Sequence, residues 1–555
     1  MIEIEFEGRR LQAQPGESLA AALTGHGIMT LRTTRNAAER GMFCGMGVCQ
    51  ECLVEIDGKP EQRACMTKIE RPLSVHRAAH GRPLALTEPA AAREIVTEQP
   101  EVLVVGAGPG GLSAAIAARQ AGASVLVVDE RSQAGGQYFK QLGVEVSRNQ
   151  AADRQHREGA ALIETARGLG VEIRSNVLVW GAFDPDGYAA VADGRSYRFQ
   201  PKATIIATGA YERGWPVPGW TLPGVMTTGA AQTLWRTARR LPGKRVLIAG
   251  NGPLNLQLAA ELIEGGAEVV AVVEAAQRPG LGQVGALLAM AAASPGLMRD
   301  GLRYHARRRA GGAEMIHGMV IASIDQSADG LSVRLTGAQP SNRAQRAFDA
   351  DVVCLGYGFE PSNELLRVLG CGHNFDPARG HLVTRRDDRG RTDVSGTYAL
   401  GDCTGLGGAR AALAEGALVG LAVAEDLGHK IDAKLAARRR EAAAMLARHR
   451  RFQRALWRLY AAPAYSARLA TPETLICRCE EITFGQVEAA LAENMREVGA
   501  VKRRTRLGMG RCQGRYCAPV LEALMAERVG APRGEFTGFA PRVPVKPVPI
   551  EELAQ

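Results

Sequence analysis

Eight of the eleven cysteines fall into two complete sets of four. Cys44, Cys49, Cys52 and Cys65 follow the pattern C-x4-C-x2-C-x12-C, and Cys477, Cys479, Cys512 and Cys517 follow C-x-C-x32-C-x4-C. Four thiolates are what an iron–sulfur cluster requires, and the first spacing is that of plant-type [2Fe–2S] sites. The chain starts Met1-Ile2-Glu3-Ile4-Glu5-Phe6, with neither a basic region nor a long apolar run. Without a secretory signal, clustered cysteines point to metal ligation rather than disulfides, and the expected compartment is the cytoplasm. For the second set, a structural zinc or partly free thiols stand as alternatives to a second [2Fe–2S] cluster. Cys354, Cys371 and Cys403 have no partners at motif spacing. Cys354 reads as a small buried hydrophobe.

Nucleotide binding is the second chemistry the spacing suggests. Val102-Leu103-Val104-Val105 leads into Gly106-Ala107-Gly108-Pro109-Gly110-Gly111, then a helix, then a strand ending in Asp129-Glu130. In this G-x-G-x-x-G context Gly106 allows the tight turn, Gly108 lets the backbone approach a pyrophosphate, and Gly111 lets helix and strand pack closely. Asp129 stands where a carboxylate meets ribose hydroxyls, with Glu130 as the neighbouring alternative. A second fingerprint, Gly250-Asn251-Gly252-Pro253-Leu254-Asn255, follows Arg245–Ala249 and precedes Val269–Val273 and Glu274. Asn255 replaces the third glycine, which puts close helix packing in question, and Glu274 would repel a 2′-phosphate. This second fold reads as a site for NAD(P), for another adenine nucleotide, or for nothing.

These loops need elements to hold them. At 555 residues the chain has room for about three to four domains. Residues 1–90 read as a small ferredoxin-like domain: Ile2–Phe6 alternates, Pro15-Gly16-Glu17 opens a helix to about His26, and Leu53–Ile56 runs into the hairpin signal Asp57-Gly58. Its first three cysteines lie on a glycine-rich loop, 41–52, that can wrap close to a cluster. Residues 80–100 are Pro/Ala-rich and read as a linker. A first nucleotide domain spans 100–210 and resumes at 351–428, with the second inserted at 211–350. A basic helical linker (429–470), a second cysteine domain (471–530) and a proline-rich tail (531–555) complete the chain. Net charge is +10, and much of it sits at Lys430, Lys434, Arg438, Arg439, Arg440, Arg448, Arg450, Arg451, Arg454 and Arg458. This is a solvated helix face, with a docking surface for a partner subunit or peripheral contact with the inner membrane face as alternatives. No nucleic-acid recognition motif accompanies the charge. No stretch approaches the roughly 20 apolar residues that span a membrane.

Two further segments carry a resemblance. Thr204–Ala210 ends in Ala207-Thr208-Gly209, and Tyr398–Asp402 ends in Gly401-Asp402, followed by Thr404-Gly405-Leu406-Gly407-Gly408. With the first fingerprint they resemble the two-dinucleotide-domain flavoproteins of the glutathione-reductase type. That resemblance implies FAD, with Asp402 on the ribityl–pyrophosphate region and Gly136, Gln137, Thr208, Gly209 and Gly401 beside the cofactor. Gly250 and Gly252 would hold the second nucleotide. No redox-active cysteine pair follows Gly135-Gly136. The C-terminal cysteines resemble bacterioferritin-associated ferredoxin, departing from it in their last pair. Trp215–Met226, Gly135–Tyr138 and Gly356–Pro361, in this order of parts, resemble the α subunit of heteromeric FAD/iron–sulfur amine dehydrogenases. That group includes opine oxidases, hydrogen cyanide synthase and the proline/hydroxyproline dehydrogenase complexes; here the plant-type domain is fused at the N-terminus.

The resemblance implies an α/β fold: a glutathione-reductase-like core, an N-terminal β-grasp ferredoxin-like domain, and a small helical cluster-binding domain at the C-terminus. It also implies FAD, two [2Fe–2S] clusters, and a β subunit of the D-amino-acid-oxidase type that oxidises an amine at its own flavin. Electrons would pass through this chain to an external acceptor. The alternative is a stand-alone NAD(P)H-dependent ferredoxin or rubredoxin reductase, and a non-catalytic redox sensor is a third reading. No nucleophile–base constellation is evident, and His373 and His381 read as loop residues.

Overall fold

Alternation builds the N-terminal sheet. Ile4 and Phe6 of Ile2–Phe6, and Leu11 and Ala13 of Arg9–Ala13, turn inward while their neighbours face out. Leu73–Arg77 runs parallel to Ile2–Phe6, and Leu53–Ile56 and Lys59–Arg63 complete five strands. Helix Leu19–Gly25, N-capped by Ser18, lies on the sheet with all but its last residue buried. Asp57 and Gly58, both at positive φ, make the hairpin turn. This is a β-grasp arrangement. The computed structural model describes residues 1–78, 95–143, 146, 151–184, 187–463, 467–530 and 532–550.

Two five-stranded parallel sheets form the core. One orders Glu172–Arg174, Val125–Val128, Val102–Val105, Ala203–Ile206 and Thr397–Ala399; the other orders Val225–Thr227, Val352–Gly356, Arg245–Gly250, Glu268–Glu274 and Glu314–His317. Unbroken apolar runs such as Val102–Val105 are buried throughout, as strands covered by helices on both faces must be. Helices Pro109–Gln120 and Ala409–Asp426 cross closely on the first sheet, because a Cβ at Gly416 or Gly420 would strike the carbonyls of Gly110 or Ala114.

The boundary expected at 350 moves. Val352–Gly356 pairs with Val225–Thr227 and Arg245–Gly250, which makes it an interior strand of the second sheet. An apolar run does not say which parallel sheet will take it. The chain returns to the first sheet after Ala210–Glu212 pairs with Phe359–Pro361. Most of the expected linker, residues 79–94, lies outside the described ones, while Val96–Glu98 is a strand beside Arg195–Phe199.

Asn255 does not loosen the second fingerprint. It is buried, its Oδ1 accepts from Thr228 Oγ1 at 2.8 Å, and its Nδ2 donates to Gly356 O at 3.3 Å. A Cβ on Gly356 would collide with Asn255, so the missing side chain has moved from the helix to the adjoining strand.

The Arg-rich segment is one helix, Ala433–Leu459, N-capped by Asp432. Its apolar stripe packs on Ala409–Asp426 and on the apolar helix Val284–Ala293. Arg439 and Arg450 pair with Glu425 and Glu415, while Lys434, Arg440, Arg451, Arg454 and Arg458 are exposed. Among the described residues no single helix is long and apolar enough to cross a membrane. In the C-terminal domain, helices Phe484–Ala492, Val498–Thr505 and Ala518–Val529 share a core of Ile476, Val487, Val501, Leu521 and Leu524. His373 and His381 are not loop residues. They lie on paired strands, are buried, and burial brings both imidazoles down to about 4. Residues 532–549 carry no helix or strand and cross the first nucleotide domain, where Val545 N–H donates to Trp180 O at 2.7 Å.

Candidate redox site

A cavity of about 1270 Å³ reaches from the first fingerprint to the second. That exceeds the roughly 300–1,000 Å³ of an ordinary small-ligand pocket. Gly106, Gly108, Pro109 and Gly110 line one end. The three fingerprint glycines serve different needs. A Cβ on Gly106 would strike the Ala207 carbonyl, and one on Gly111 the Gly106 carbonyl. Gly108 faces open space, with its nearest neighbour, Gly136 Cα, at 4.0 Å. It also caps helix Pro109–Gln120 with no side-chain hydrogen bond, leaving the first-turn amides for an anion.

Asp129 lines the cavity and also holds the glycine loop. Its Oδ2 accepts from Ala107 N–H at 2.7 Å and its Oδ1 from Arg131 N–H at 2.8 Å, so the carboxylate staples the loop. Val128 lies opposite Val105 in the ladder, which turns the next side chain back under the glycines. Glu130 also stands on the cavity wall, paired with Lys546 of the tail at 2.6 Å. Glu130→Ala is expected to weaken FAD retention about tenfold, or ~1.4 kcal/mol, at unchanged stability. Asp129→Ala, which orphans two amides, should cost about 1–3 kcal/mol of stability. Flavin titration and thermal unfolding separate the two; the reverse pattern would return the ribose to Asp129.

Glu274 repeats the Asp129 arrangement. Its carboxylate accepts from Asn251 Nδ2 at 2.7 Å, Gly252 N–H at 3.0 Å and Ala276 N–H at 2.9 Å. It therefore turns into the loop and does not face a 2′-phosphate. Burial outweighs these donors and raises the carboxyl to about 7. The folded value lies above the unfolded one, so the associated stability is complete below pH about 4.5 and is lost as pH rises through about 7. Glu274→Gln is expected to flatten this slope in thermal unfolding measured across that window. Glu212, which burial also raises to about 7, adds slope of the same sign, and His373 and His381, lowered to about 4, add slope of the opposite sign. An unchanged slope would show that Glu274 is ionised throughout.

Gly136, Gln137, Thr208, Gly209, Gly401 and Asp402 all reach the wall. Asp402 Oδ1 accepts from Gly407 and Gly408 N–H at 2.9 and 2.7 Å, which aims the N-terminus of Ala409–Asp426 at the cavity. Gly252 lines the cavity at φ +130°, whereas Gly250 packs against Gly356. Cys403 turns away, its thiol donating to Leu400 O at 3.2 Å.

Sequence reasoning missed Lys140, Glu212, Gln232 and Arg515, which also line the cavity. Lys140 Nζ donates to Gln137 O at 2.7 Å and Gln232 Oε1 at 3.0 Å, and burial, with Arg131 and Arg236 nearby, lowers it to about 7. These residues come from distant segments; Lys140 follows Gly-Gly-Gln, and Arg515 lies between Cys512 and Cys517, where its charge would offset that of a thiolate-ligated cluster.

The eight motif cysteines form no disulfides, and in the first set Cys44 interacts with Cys49 and Cys52 with Cys65. Met46 and Cys49 N–H groups point at Cys44 Sγ from 3.5 and 3.3 Å. Burial opposes ionisation of Cys44, yet the Cys49 thiol and the Met46, Cys49 and Val48 amides bring it to about 6. In the second set Cys477 lies 3.9 Å from Cys479, and Cys479 lies 3.6 Å from Cys512. Gln513 and Gly514, both at positive φ, fold the longer C-x4-C spacing back so that Cys517 meets Cys477. Thiols in fours with amides aimed at sulfur suit sulfide-bridged clusters.

The two thiol loops touch. Arg478, between Cys477 and Cys479, lies 3.9 Å from the Phe43 ring centre and 4.7 Å from that of Trp220. Its Nε donates to Glu51 Oε1 at 3.2 Å and its Nη1 to Trp220 O at 2.9 Å. Cys44, Met46 and Val48 reach the cavity from one loop and Arg515 from the other.

Comparison with known proteins accords with this geometry. Residues 100–416 match the description "Pyridine nucleotide-disulphide oxidoreductase". The chain belongs to that family. Residues 1–80 match a 2Fe-2S iron-sulfur cluster binding domain and residues 475–527 a BFD-like [2Fe-2S] binding domain, so this oxidoreductase carries two cluster-binding domains on a core that implies FAD. A subunit of the opine oxidase of Agrobacterium tumefaciens is 34% identical over 477 residues, covering 82% of this chain and 91% of that one. The HcnB subunit of the hydrogen cyanide synthase of Pseudomonas aeruginosa is 29% identical over 457 residues, covering 81% and 97%. The crystal structure of L-proline dehydrogenase from P. horikoshii aligns with a TM-score of 0.72 over 100% of this chain and 97% of that one; at 20% identity it speaks for the fold alone.

Proposed function

We propose that this oxidoreductase is the electron-transferring FAD/iron–sulfur subunit of a heteromeric amine or amino-acid dehydrogenase, acting on an opine, proline or glycine type of donor. Its partner is a β subunit of the D-amino-acid-oxidase type, which oxidises the amine at its own flavin; this chain passes the electrons to an external acceptor. The reading rests on one observation: both thiol loops converge on the cavity that the fingerprint glycines line. FAD, when bound, exchanges an electron pair for the single electrons that clusters accept.

The chain's own residues shape that exchange. Gly108 and the amides of Pro109–Gln120 would receive the pyrophosphate, and Glu130 would meet the ribose. Asp402 aims a helix N-terminus into the cavity, where it favours negative charge. Cys44, Met46 and Val48 close the wall on the side of Glu212 and Lys140, which keeps solvent from the space between cofactor and thiols.

The same cavity also includes the second fingerprint, so a stand-alone NAD(P)H-dependent reductase is the competing reading. Against it, Glu274 is spent on the loop and Ala275 follows it, leaving no carboxylate in the position of Glu130. Anaerobic mixing with NADH or NADPH, followed at the flavin absorbance, decides between them. No bleaching on the timescale of turnover is the expected result, and rapid stoichiometric bleaching would overturn the proposal.

A further inference from the structure

The proline-rich tail reaches the cavity and is held there by the C-terminal thiol loop. Val545 and Lys546 line the same wall as Glu130, Val177 and Val179. Val545 is 3% exposed and packs in the apolar cluster of Val105, Val128, Val177 and Val179. Its N–H donates to Trp180 O at 2.7 Å, and Lys546 Nζ donates to Glu130 Oε2 at 2.6 Å. Val543 lies where a Cβ on Gly181 would strike it, so the tail runs close over strand Leu178–Asp184. The grip comes from the turn between Cys512 and Cys517. Gln513 Nε2 donates to Pro544 O at 2.7 Å, and Arg515 Nη2 donates to Val545 O at 2.7 Å. Arg515 Nη1 donates to Cys512 O at 3.1 Å, and its Nε pairs with Glu364 at 2.9 Å. One buried guanidinium therefore ties the main chain of a motif cysteine to the main chain of the tail.

That turn is itself demanding. Gln513 and Gly514 both sit at positive φ, and a non-glycine residue there persists only where its surroundings over-determine it. Ligation of Cys512 and Cys517 to one centre, with Cys477 and Cys479, supplies such a constraint, because metal binding contributes directly to folding free energy. We infer that residues 543–546 are the closing wall of the FAD site, and that Gln513 and Arg515 make this closure depend on the C-terminal cluster. The inference rests on reading the cavity as the FAD site and the C-terminal thiols as [2Fe–2S] ligands. With the cluster in place, the turn holds Gln513 and Arg515 against the tail, and Val545 and Lys546 keep the Glu130 end of the cavity shut. Without it, the turn relaxes, the tail is released and FAD leaves more readily. The coupling is reciprocal, so FAD favours the loaded cluster by the same factor. That factor is small beside the hold of four thiolates, so a chain without FAD keeps its clusters.

Two changes and their combination test this, with iron, sulfide and FAD dissociation measured on each protein. Cys477→Ala removes a ligand from strand Leu475–Cys477 and leaves the turn and the tail unaltered in sequence. It is expected to lose the C-terminal cluster and to weaken FAD binding about tenfold, which corresponds to losing one buried valine contact. A chain ending at Arg542 is expected to keep both clusters and to weaken FAD binding by the same factor. The two changes together should weaken it no further, because both act through one contact. Trypsin cleavage after the exposed Arg542 gives a second readout on the full-length proteins: FAD should slow it and Cys477→Ala should speed it. Unchanged FAD affinity in either single variant, effects that multiply in the combination, or cleavage indifferent to both FAD and cluster would overturn the proposal. Iron and sulfide missing from the C-terminal domain of the unaltered chain would instead refute the cluster reading beneath it, and an unaltered chain that binds no FAD would refute the reading of the cavity.

Discussion

Gly108→Leu is expected to leave a folded protein that keeps both iron–sulfur centres and lacks FAD. The argument is geometric. Of the first fingerprint's glycines, only Gly108 has open space where its side chain would be; its nearest neighbour is 4.0 Å away. That space lies in front of the first-turn amides of Pro109–Gln120, where a pyrophosphate must approach the backbone. A leucine can therefore be accommodated by the empty protein but not together with the cofactor. FAD content should fall by at least about tenfold, equivalent to ~1.4 kcal/mol or more. Gly111→Ala gives the contrast. Its Cβ would meet the Gly106 carbonyl inside the fold, so that change should lower thermal stability before it says anything about FAD. Flavin release by acid, iron analysis and thermal unfolding on the same samples check all three statements. Normal flavin content in a folded Gly108→Leu protein would remove the cofactor from this loop.

The difference between these two glycines shows which features are legible in a sequence. Local features are. The thiol loops, the Asp57-Gly58 hairpin and the strand–glycine–helix units depend on residues close along the chain, and their backbone demands are written in residue type. Features set by register or by distant packing are not. Which of Asp129 and Glu130 holds the glycine loop depends on where Val128 sits opposite Val105. Asn255 suggested a loosened helix because the compensating Gly356 lies far along the chain and becomes its neighbour only in the sheet. Val352–Gly356 has the same composition whichever parallel sheet receives it. Glu212, Gln232 and Lys546 carry no motif at all, and they reach the cavity only after two domains and the tail have packed together. The contact between the thiol loops is of this kind too, since Arg478 and Phe43 are brought together by tertiary structure alone.

The isolated chain is expected not to oxidise opines, glycine, sarcosine or proline with an artificial dye, and addition of its partner subunit is expected to restore the activity. The cavity is built to hold a cofactor and to connect it with thiol loops. Its buried ionisable groups are committed elsewhere: Lys140 to Gln137 and Gln232, and Arg236 to Asp153 and Glu261. Glu212 keeps one unpartnered oxygen, but it sits beside Cys44 on the wall facing the thiols. A substrate amine needs a carboxylate-binding cation and a base facing the same flavin edge, and Lys140 and Arg236 are already engaged within the chain. Activity should therefore appear only in the complex, going from background to full turnover. The exposed Lys434, Arg440, Arg451, Arg454 and Arg458 are the candidate contact, because the apolar side of the Ala433–Leu459 helix packs within the chain. Charge reversal at Arg451 and Arg454 should weaken assembly, and assembly should weaken with salt as well. Dye-linked amine oxidation by the purified single chain, at a rate comparable with that of the complex, would move substrate chemistry onto the FAD held here and end the division of labour between two subunits.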